Sequence, residues 1–192
     1  AKPGTATTIL GYSPKSQLMQ DKAVRDAIFI GIDRAAIATV LFEGFADPTV
    51  DIFPTTVPTA GTRHPVPARD VTAAQKALTV GGWTGDAAGF TKGGTALAID
   101  FLVSEEAFPG SRRIAEMIQG QLSEIGIKVG ISSVDTAVMH TRRPASEASG
   151  WPDTMTAPDE VTAGLMSGCS ATIWSRTVSS AVSLRAASAR GR

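Results

Sequence analysis

Leu97-Ala-Ile-Asp-Phe-Leu-Val103, followed by Ser111-Arg-Arg-Ile-Ala-Glu-Met-Ile-Gln-Gly-Gln-Leu-Ser-Glu-Ile-Gly-Ile-Lys-Val-Gly-Ile131, is the stretch on which the fold turns. Within residues 95–103, Leu97, Ile99, Phe101 and Val103 alternate, the pattern of a strand with one well-buried face. Ser111 can cap a following helix, whose apolar stripe is Ile114, Met117, Ile118, Leu122 and Ile125. Gly126 is placed to end that helix, because glycine adopts the left-handed conformation without penalty. Ile127, Val129 and Ile131 then make a second strand. Strand, helix and strand of these lengths form a βαβ unit, whose two strands run parallel in one sheet.

Working toward the N-terminus, Asp70 caps a helix with Val71, Ala74 and Leu78 on its inner face. Gly81-Gly82 ends it, and Trp83 packs just beyond. Residues 45–69 hold Pro48, Pro54, Pro58, Pro65 and Pro67, so this part is an extended loop, pinned to the surface by Phe53 and Val57. Before it lie two short helices. Asp21 caps the first, which buries Val24, Ala27, Ile28 and Ile32. Asp33 caps the second, which turns Ile37, Val40 and Leu41 inward and stops at Gly44. Residues 6–12 read as a strand closed by Pro14.

Toward the C-terminus the pattern decays after about Asp135. No lysine follows Lys128, and the later basic residues are all arginine: Arg142, Arg143, Arg176, Arg185, Arg190 and Arg192. The last stretch is mostly Ala, Ser and Arg, with weak periodicity at Val178, Val182 and Leu184. A disordered or marginally helical tail is expected there. A frame change in GC-rich DNA would produce the same shift of composition, and resequencing the locus tests that origin.

The chain has 192 residues, with 18 basic and 18 acidic side chains and no net charge. That balance gives no reason to expect nucleic acid or an anionic membrane as a partner. No apolar run is long enough to span a bilayer, and Ala1-Lys2-Pro3-Gly4 has no signal-peptide core, so any export signal is expected to have been removed. Cys169 is the single cysteine, which excludes an internal disulfide. A metal centre needs clustered His, Cys or carboxylate ligands, and the two histidines, His64 and His140, are far apart in sequence. His64 reads as a solvent-facing loop residue, and His140 as one that follows a strand end. Gly81-Gly82 and Gly93-Gly94 are turn glycines without the Lys-Ser/Thr pair of a phosphate loop. Glu105-Glu106 reads as a solvated pair or a complement to a helix dipole. Arg112-Arg113 and Arg142-Arg143 read as solvent-facing pairs, and Cys169 as an inert small side chain. No convergent catalytic set appears, and neither enzymatic activity nor a cofactor is expected.

Four segments in order carry a resemblance: Lys22-Ala-Val-Arg-Asp-Ala-Ile-Phe-Ile-Gly-Ile-Asp-Arg-Ala-Ala-Ile37, Ala73-Ala-Gln-Lys-Ala-Leu-Thr-Val-Gly-Gly-Trp83, Lys92-Gly-Gly-Thr-Ala-Leu97 and Ile114-Ala-Glu-Met-Ile-Gln-Gly-Gln-Leu-Ser-Glu-Ile-Gly-Ile-Lys-Val129. Together they resemble family 5 of the bacterial extracellular solute-binding proteins, which serve peptide and nickel ABC importers. The likeness covers roughly residues 6–140. Ile52-Phe-Pro-Thr-Thr-Val-Pro58 is similar to a loop of the nickel-type branch. Relatives carry a Trp-containing turn running into Asp-Pro after the βαβ unit. Here Trp151, Pro152 and Asp153 match it in composition but not in order, so no ligand role transfers to them.

The resemblance implies an α/β fold: a βαβ-containing lobe of the type II, periplasmic-binding-protein-like class, with an irregular C-terminal tail. Residues 1–140 are expected to be part of the C-terminal lobe, and 141–192 a divergent tail. It further implies capture of a small solute, such as a short peptide or a nickel chelate, by closure of two lobes. The partners are then the ligand and an ABC transporter permease, with no nucleic acid and no membrane contact except through the permease. The setting is periplasmic or extracellular. Candidate ligand contacts are Phe53, Pro54 and Val57 in the loop and His140 beyond the βαβ unit. The alternative is a truncated module that docks on another chain without binding a solute. Ligand-dependent thermal stabilisation separates the two.

Overall fold

The computed structural model describes residues 7–12, 16–51, 64–142 and 160–166. In chain order the N-terminal half holds β1 (Thr7–Leu10), α1 (Gln17–Gln20), α2 (Lys22–Gly31), α3 (Arg34–Phe42) and α4 (Val71–Val80). Then come β2 (Thr84–Asp86), β3 (Gly89–Lys92), β4 (Thr95–Ala96), β5 (Ala98–Val103), α5 (Ser111–Ser123), β6 (Lys128–Ser133), α6 (Thr136–Arg142) and β7 (Glu160–Met166).

The βαβ unit forms as expected. β5 pairs with β6 in parallel, from Ala98 opposite Lys128 to Val103 opposite Ser133, and α5 connects them. Ile99, Phe101 and Val103 are buried against Ile114, Ile118 and Leu122 of the helix stripe, in a core that also takes in Ile125 and Ile127. Gly126 holds φ at 99° after the helix, and a Cβ there would stand 2.1 Å from the Asp86 carbonyl oxygen. Only glycine satisfies both the dihedral and the approach of the β2–β3 turn.

The alternation at 95–103 belongs to two sheets rather than one strand. β4 pairs antiparallel with β3, which pairs antiparallel with β2, and β5 leaves for the larger sheet. Leu97 is the joint: its N–H donates to the Phe90 carbonyl at 2.8 Å, and its own carbonyl accepts from Lys128 N–H at 3.2 Å. Side-chain alternation survives such a break because the backbone stays extended across it, so periodicity alone does not reveal the change of partner.

The larger sheet runs in the order β1-β7-β5-β6. β7 is parallel to β5 and antiparallel to β1, with Thr7 opposite Met166 and Leu10 opposite Ala163. It lies in the stretch expected to be an irregular tail, and its backbone supplies an interior strand of the sheet. Among the described residues β7 is the strand partner that ties β1 to the rest of the sheet. Of the tail, residues 143–159 and 167–192 lie outside the described residues. So does Pro14.

The helices stand where their caps place them. Asp21, Asp33 and Asp70 accept from the backbone N–H of Ala23, Ala36 and Ala73 at 2.9, 2.8 and 2.8 Å. α1 is an extra single turn that the sequence pattern did not suggest, capped by Ser16 and burying Leu18 and Met19. α2 buries Val24, Ala27 and Ile28 and packs on Ala74 and Leu78 of α4.

α3 corrects one expectation. Val40 is 65% exposed, and the helix buries Ala38 instead, with Ile37 and Leu41 half-buried. α3 is apolar on most of its circumference, so its sequence does not select the inward face; the narrow approach of α5 does. It ends with Glu43 and Gly44 both left-handed, at φ 51° and 78°. Two polar clamps hold this corner to α5. Gln121 accepts from Asp33 N–H at 2.8 Å. Arg69 donates to the carbonyls of Gly31 and Gln121 and to Glu124 at 2.9, 2.7 and 2.9 Å.

Candidate functional site

In open α/β sheets ligands meet the carboxyl ends of the parallel strands, where helix N-termini and connecting loops converge. Here that edge is built by the loops after β5 and β6. Ser104, fully buried, follows β5 and its hydroxyl accepts from Ala107 N–H at 3.3 Å. The ladder extends one step past β6, with Val134 N–H donating to the Val103 carbonyl at 2.9 Å.

Both carboxylates of Glu105-Glu106 are taken up by helix starts. Glu105 accepts from Gly110 N–H at 2.9 Å, Arg112 N–H at 2.6 Å and the Ser111 hydroxyl at 3.2 Å. The backbone donors of Arg112 and Gly110 hold its carboxyl below the usual range. Glu106 accepts from Thr136 N–H at 3.2 Å and from the Thr136 hydroxyl at 3.0 Å, so it joins the β5 loop to the start of α6. The helix-dipole reading of this pair is what the geometry displays. The expected cap does not hold: Gly110 stands at the N-cap position with φ 89° and no side-chain bond, and Ser111 is the first helical residue. Glu105 does the capping from five positions before Gly110. No N-cap spacing rule reaches that far, because the turn at Ala107–Gly110 folds the carboxylate back.

The expected ligand residues are not brought together by the described structure. Phe53, Pro54 and Val57 lie outside the described residues. His140 falls within α6, which begins three positions after β6 at the carboxyl edge. Cys169, Trp151, Pro152, Asp153 and Arg143 also lie outside the described residues. His64 is not simply solvent-facing: its Nδ1 lies 2.6 Å from an Asp51 carboxylate oxygen, and its N–H donates to the other oxygen at 3.1 Å. This pair joins the two ends of the proline-rich segment and has no local sequence signal. Among the described residues no group of three or more His, Cys, Asp or Glu could hold a metal ion. No helix among them is long and apolar enough to cross a membrane.

Arg112 is drawn along α5 to Glu116 at 2.9 Å. A second polar centre is structural. Asp21 accepts from the Trp83 indole N–H at 3.0 Å and from the Lys92 ammonium at 2.7 Å, in addition to capping α2. Burial alone would raise its carboxyl, but the hydrogen bonds from Lys92, Ala23 N–H and Trp83 outweigh that and hold it low. Lys92 also donates to the Gly81 carbonyl at 2.8 Å, at the end of α4. This node binds α2, α4 and the small β2-β3-β4 sheet together.

Comparison with known proteins places this architecture. None of the curated proteins matches the chain. Among solved structures, an ABC transporter substrate-binding protein from Sinorhizobium meliloti is 42% identical, over 69% of this chain and 28% of its own, with a TM-score of 0.65. NikA from Brucella suis, in complex with Fe(III)-EDTA, is 22% identical over 88% of this chain and 32% of its own, with a TM-score of 0.71. The oligopeptide-binding protein AppA from Bacillus subtilis, in complex with a nonapeptide, is 20% identical over 83% of this chain and 31% of its own, with a TM-score of 0.66. The latter two likenesses establish the shared periplasmic-binding-protein fold. The chain spans less than a third of the length of each of these proteins. The family model named "Bacterial extracellular solute-binding proteins, family 5 Middle" matches residues 1–170, a span that includes the βαβ unit and β7. With the parallel pair, the helix order and the Gly81-Gly82-Trp83 turn in place, the chain belongs to the bacterial extracellular solute-binding proteins of family 5.

Proposed function

We propose that this chain is part of the substrate-binding component of an ABC importer, and that it captures a small solute such as a short peptide or a nickel chelate by lobe closure. The observation that carries the reading is family membership over residues 1–170, reinforced by the 42% identity to an ABC transporter substrate-binding protein. Family members are binding proteins rather than catalysts. Relatives solved with Fe(III)-EDTA and with a nonapeptide mark the two ligand chemistries to try. In this reading residues 1–140 belong to the C-terminal lobe. Phe53, Pro54 and Val57 supply apolar ligand contacts, and His140 lies near them at the carboxyl edge. The permease is the docking partner, and the protein works outside the cytoplasmic membrane.

The test is thermal unfolding with short peptides and with nickel chelated by histidine, on the protein isolated from its cell envelope and weighed intact. A ligand at about 100 times its Kd stabilises a single-site binder by about 2.7 kcal/mol. A clear rise in melting temperature with one ligand class supports capture. No rise with either class, from a chain of the mass of 192 residues, favours the docking alternative. The observation behind that alternative is the apolar outer surface of α3 and its end, where Val40 and Phe45 are 65% and 80% exposed.

A further inference from the structure

We propose that Asp51 and His64 form a clasp that fixes the two ends of the proline-rich segment 52–63, and that the clasp holds the His64 ring in one tautomer. The two residues are 13 positions apart, and both oxygens of one carboxylate are used. One oxygen takes the His64 backbone N–H at 3.1 Å; the other faces the ring Nδ1 at 2.6 Å. A carboxylate oxygen at that distance from a ring nitrogen requires a proton between them, so the neutral imidazole carries its hydrogen on Nδ1. The carboxylate is itself braced. Asp51 N–H donates to the Thr49 hydroxyl at 2.9 Å, and that hydroxyl donates back to the Asp51 carbonyl at 3.4 Å. Beyond the clasp, the chain from Pro65 to Arg69 leads into the Arg69 clamp on α5 and the Asp70 cap of α4. The clasp thus transmits the position of the folded core to both ends of the segment.

The energetic logic separates local from global effects. An exposed ion pair contributes little to the stability of the whole fold, and the His64 side chain is 60% exposed. Joining two chain positions removes conformational freedom from everything between them, so the effect concentrates in the segment. The inference does not depend on the proposed ligand capture, because it is read on the ligand-free chain.

The experiment uses the full chain, without ligand, in four forms: wild type, Asp51→Ala, His64→Ala and His64→Asn. Imidazole nitrogen shifts of the neutral His64 ring report the tautomer, and trypsin reports access to the Arg63–His64 bond. The wild-type ring is expected in the Nδ1–H form, and in Asp51→Ala in the Nε2–H form that free imidazole prefers. Cleavage after Arg63 is expected to be about fivefold faster in Asp51→Ala and His64→Ala, the factor that about 1 kcal/mol represents. His64→Asn, whose amide can still donate to Asp51, should return the rate toward wild type. Melting temperatures should agree among all four, which excludes general unfolding as the cause. A wild-type ring in the Nε2–H form, or equal cleavage rates in wild type and Asp51→Ala, overturns the proposal.

Discussion

Trp83 donates its indole N–H to the Asp21 carboxylate at 3.0 Å, across 62 positions of sequence, and so fixes the end of α4 to the start of α2. Asp21 thereby serves two levels of structure with one side chain: a local helix cap and a tertiary bond. Asp21→Asn keeps an N-cap oxygen but loses the charge that Lys92 and Trp83 answer. Such a substitution is expected to cost roughly 2 kcal/mol, and Asp21→Ala roughly 1 kcal/mol more for the lost cap. Urea unfolding with the slope m unchanged measures both.

Acid should act through the same carboxylate. Asp21 has a lowered native value, so its stabilising contribution is fully present above the ordinary carboxylate range and is lost as pH falls through that lowered value. Glu105 has the same sign, from the backbone donors of Arg112 and Gly110. Stability measured by urea should therefore fall from about pH 4 downward. In Asp21→Asn that acid limb should be shallower, and an identical limb in the variant would contradict the assignment.

Two glycines near the βαβ unit should respond with opposite signs. Gly126→Ala meets a left-handed φ of 99° and an Asp86 carbonyl 2.1 Å from the new Cβ, and is expected to destabilise by roughly 3 kcal/mol. Gly120 lies in α5 with nothing within 4 Å of a built Cβ. Gly120→Ala should stabilise by about 0.5–1 kcal/mol. Thermal melts of the pair provide the comparison.

The position of α3 can be read from a conservative surface change. Val40→Thr should alter stability by less than about 0.5 kcal/mol, because Val40 is mostly in solvent. Leu78→Ala, at a fully buried position of α4, should cost about 2–5 kcal/mol. A cost above about 1 kcal/mol for Val40→Thr would restore the inward orientation that the helix pattern suggests.

β7 offers a test of the sheet order. Thr162 lies opposite Leu102 of β5, in the interior of the sheet. Thr162→Pro removes a ladder donor and should strip hydrogen-exchange protection from Leu10, since β1 reaches the sheet through β7. Protection at Phe101, whose strand also pairs with β6, should decline less. Unchanged protection at Leu10 would show that β7 does not hold β1.

Where a signal is local, sequence sufficed. The caps at Asp21, Asp33 and Asp70 are written in a few adjacent residues, because a cap bonds within one turn of itself. The βαβ unit was legible because periods of two and of 3.6 residues follow from backbone geometry and persist wherever one face is buried. Four short segments in order were enough to indicate the family. Tertiary structure decided what depends on partners distant in the chain. Glu105, rather than Ser111, stabilises the start of α5, because a turn carries it there. Val40 faces solvent, because α5 covers only one flank of an apolar helix. β7 carries its own faint alternation at Val161, Ala163 and Leu165, too short to stand out from an Ala- and Ser-rich surrounding. It becomes an interior strand only because β1 and β5 leave a ladder for it to fill. The Asp51–His64 pair exists because the core brings the two ends of the segment to one place, and no spacing of residues along the chain encodes that.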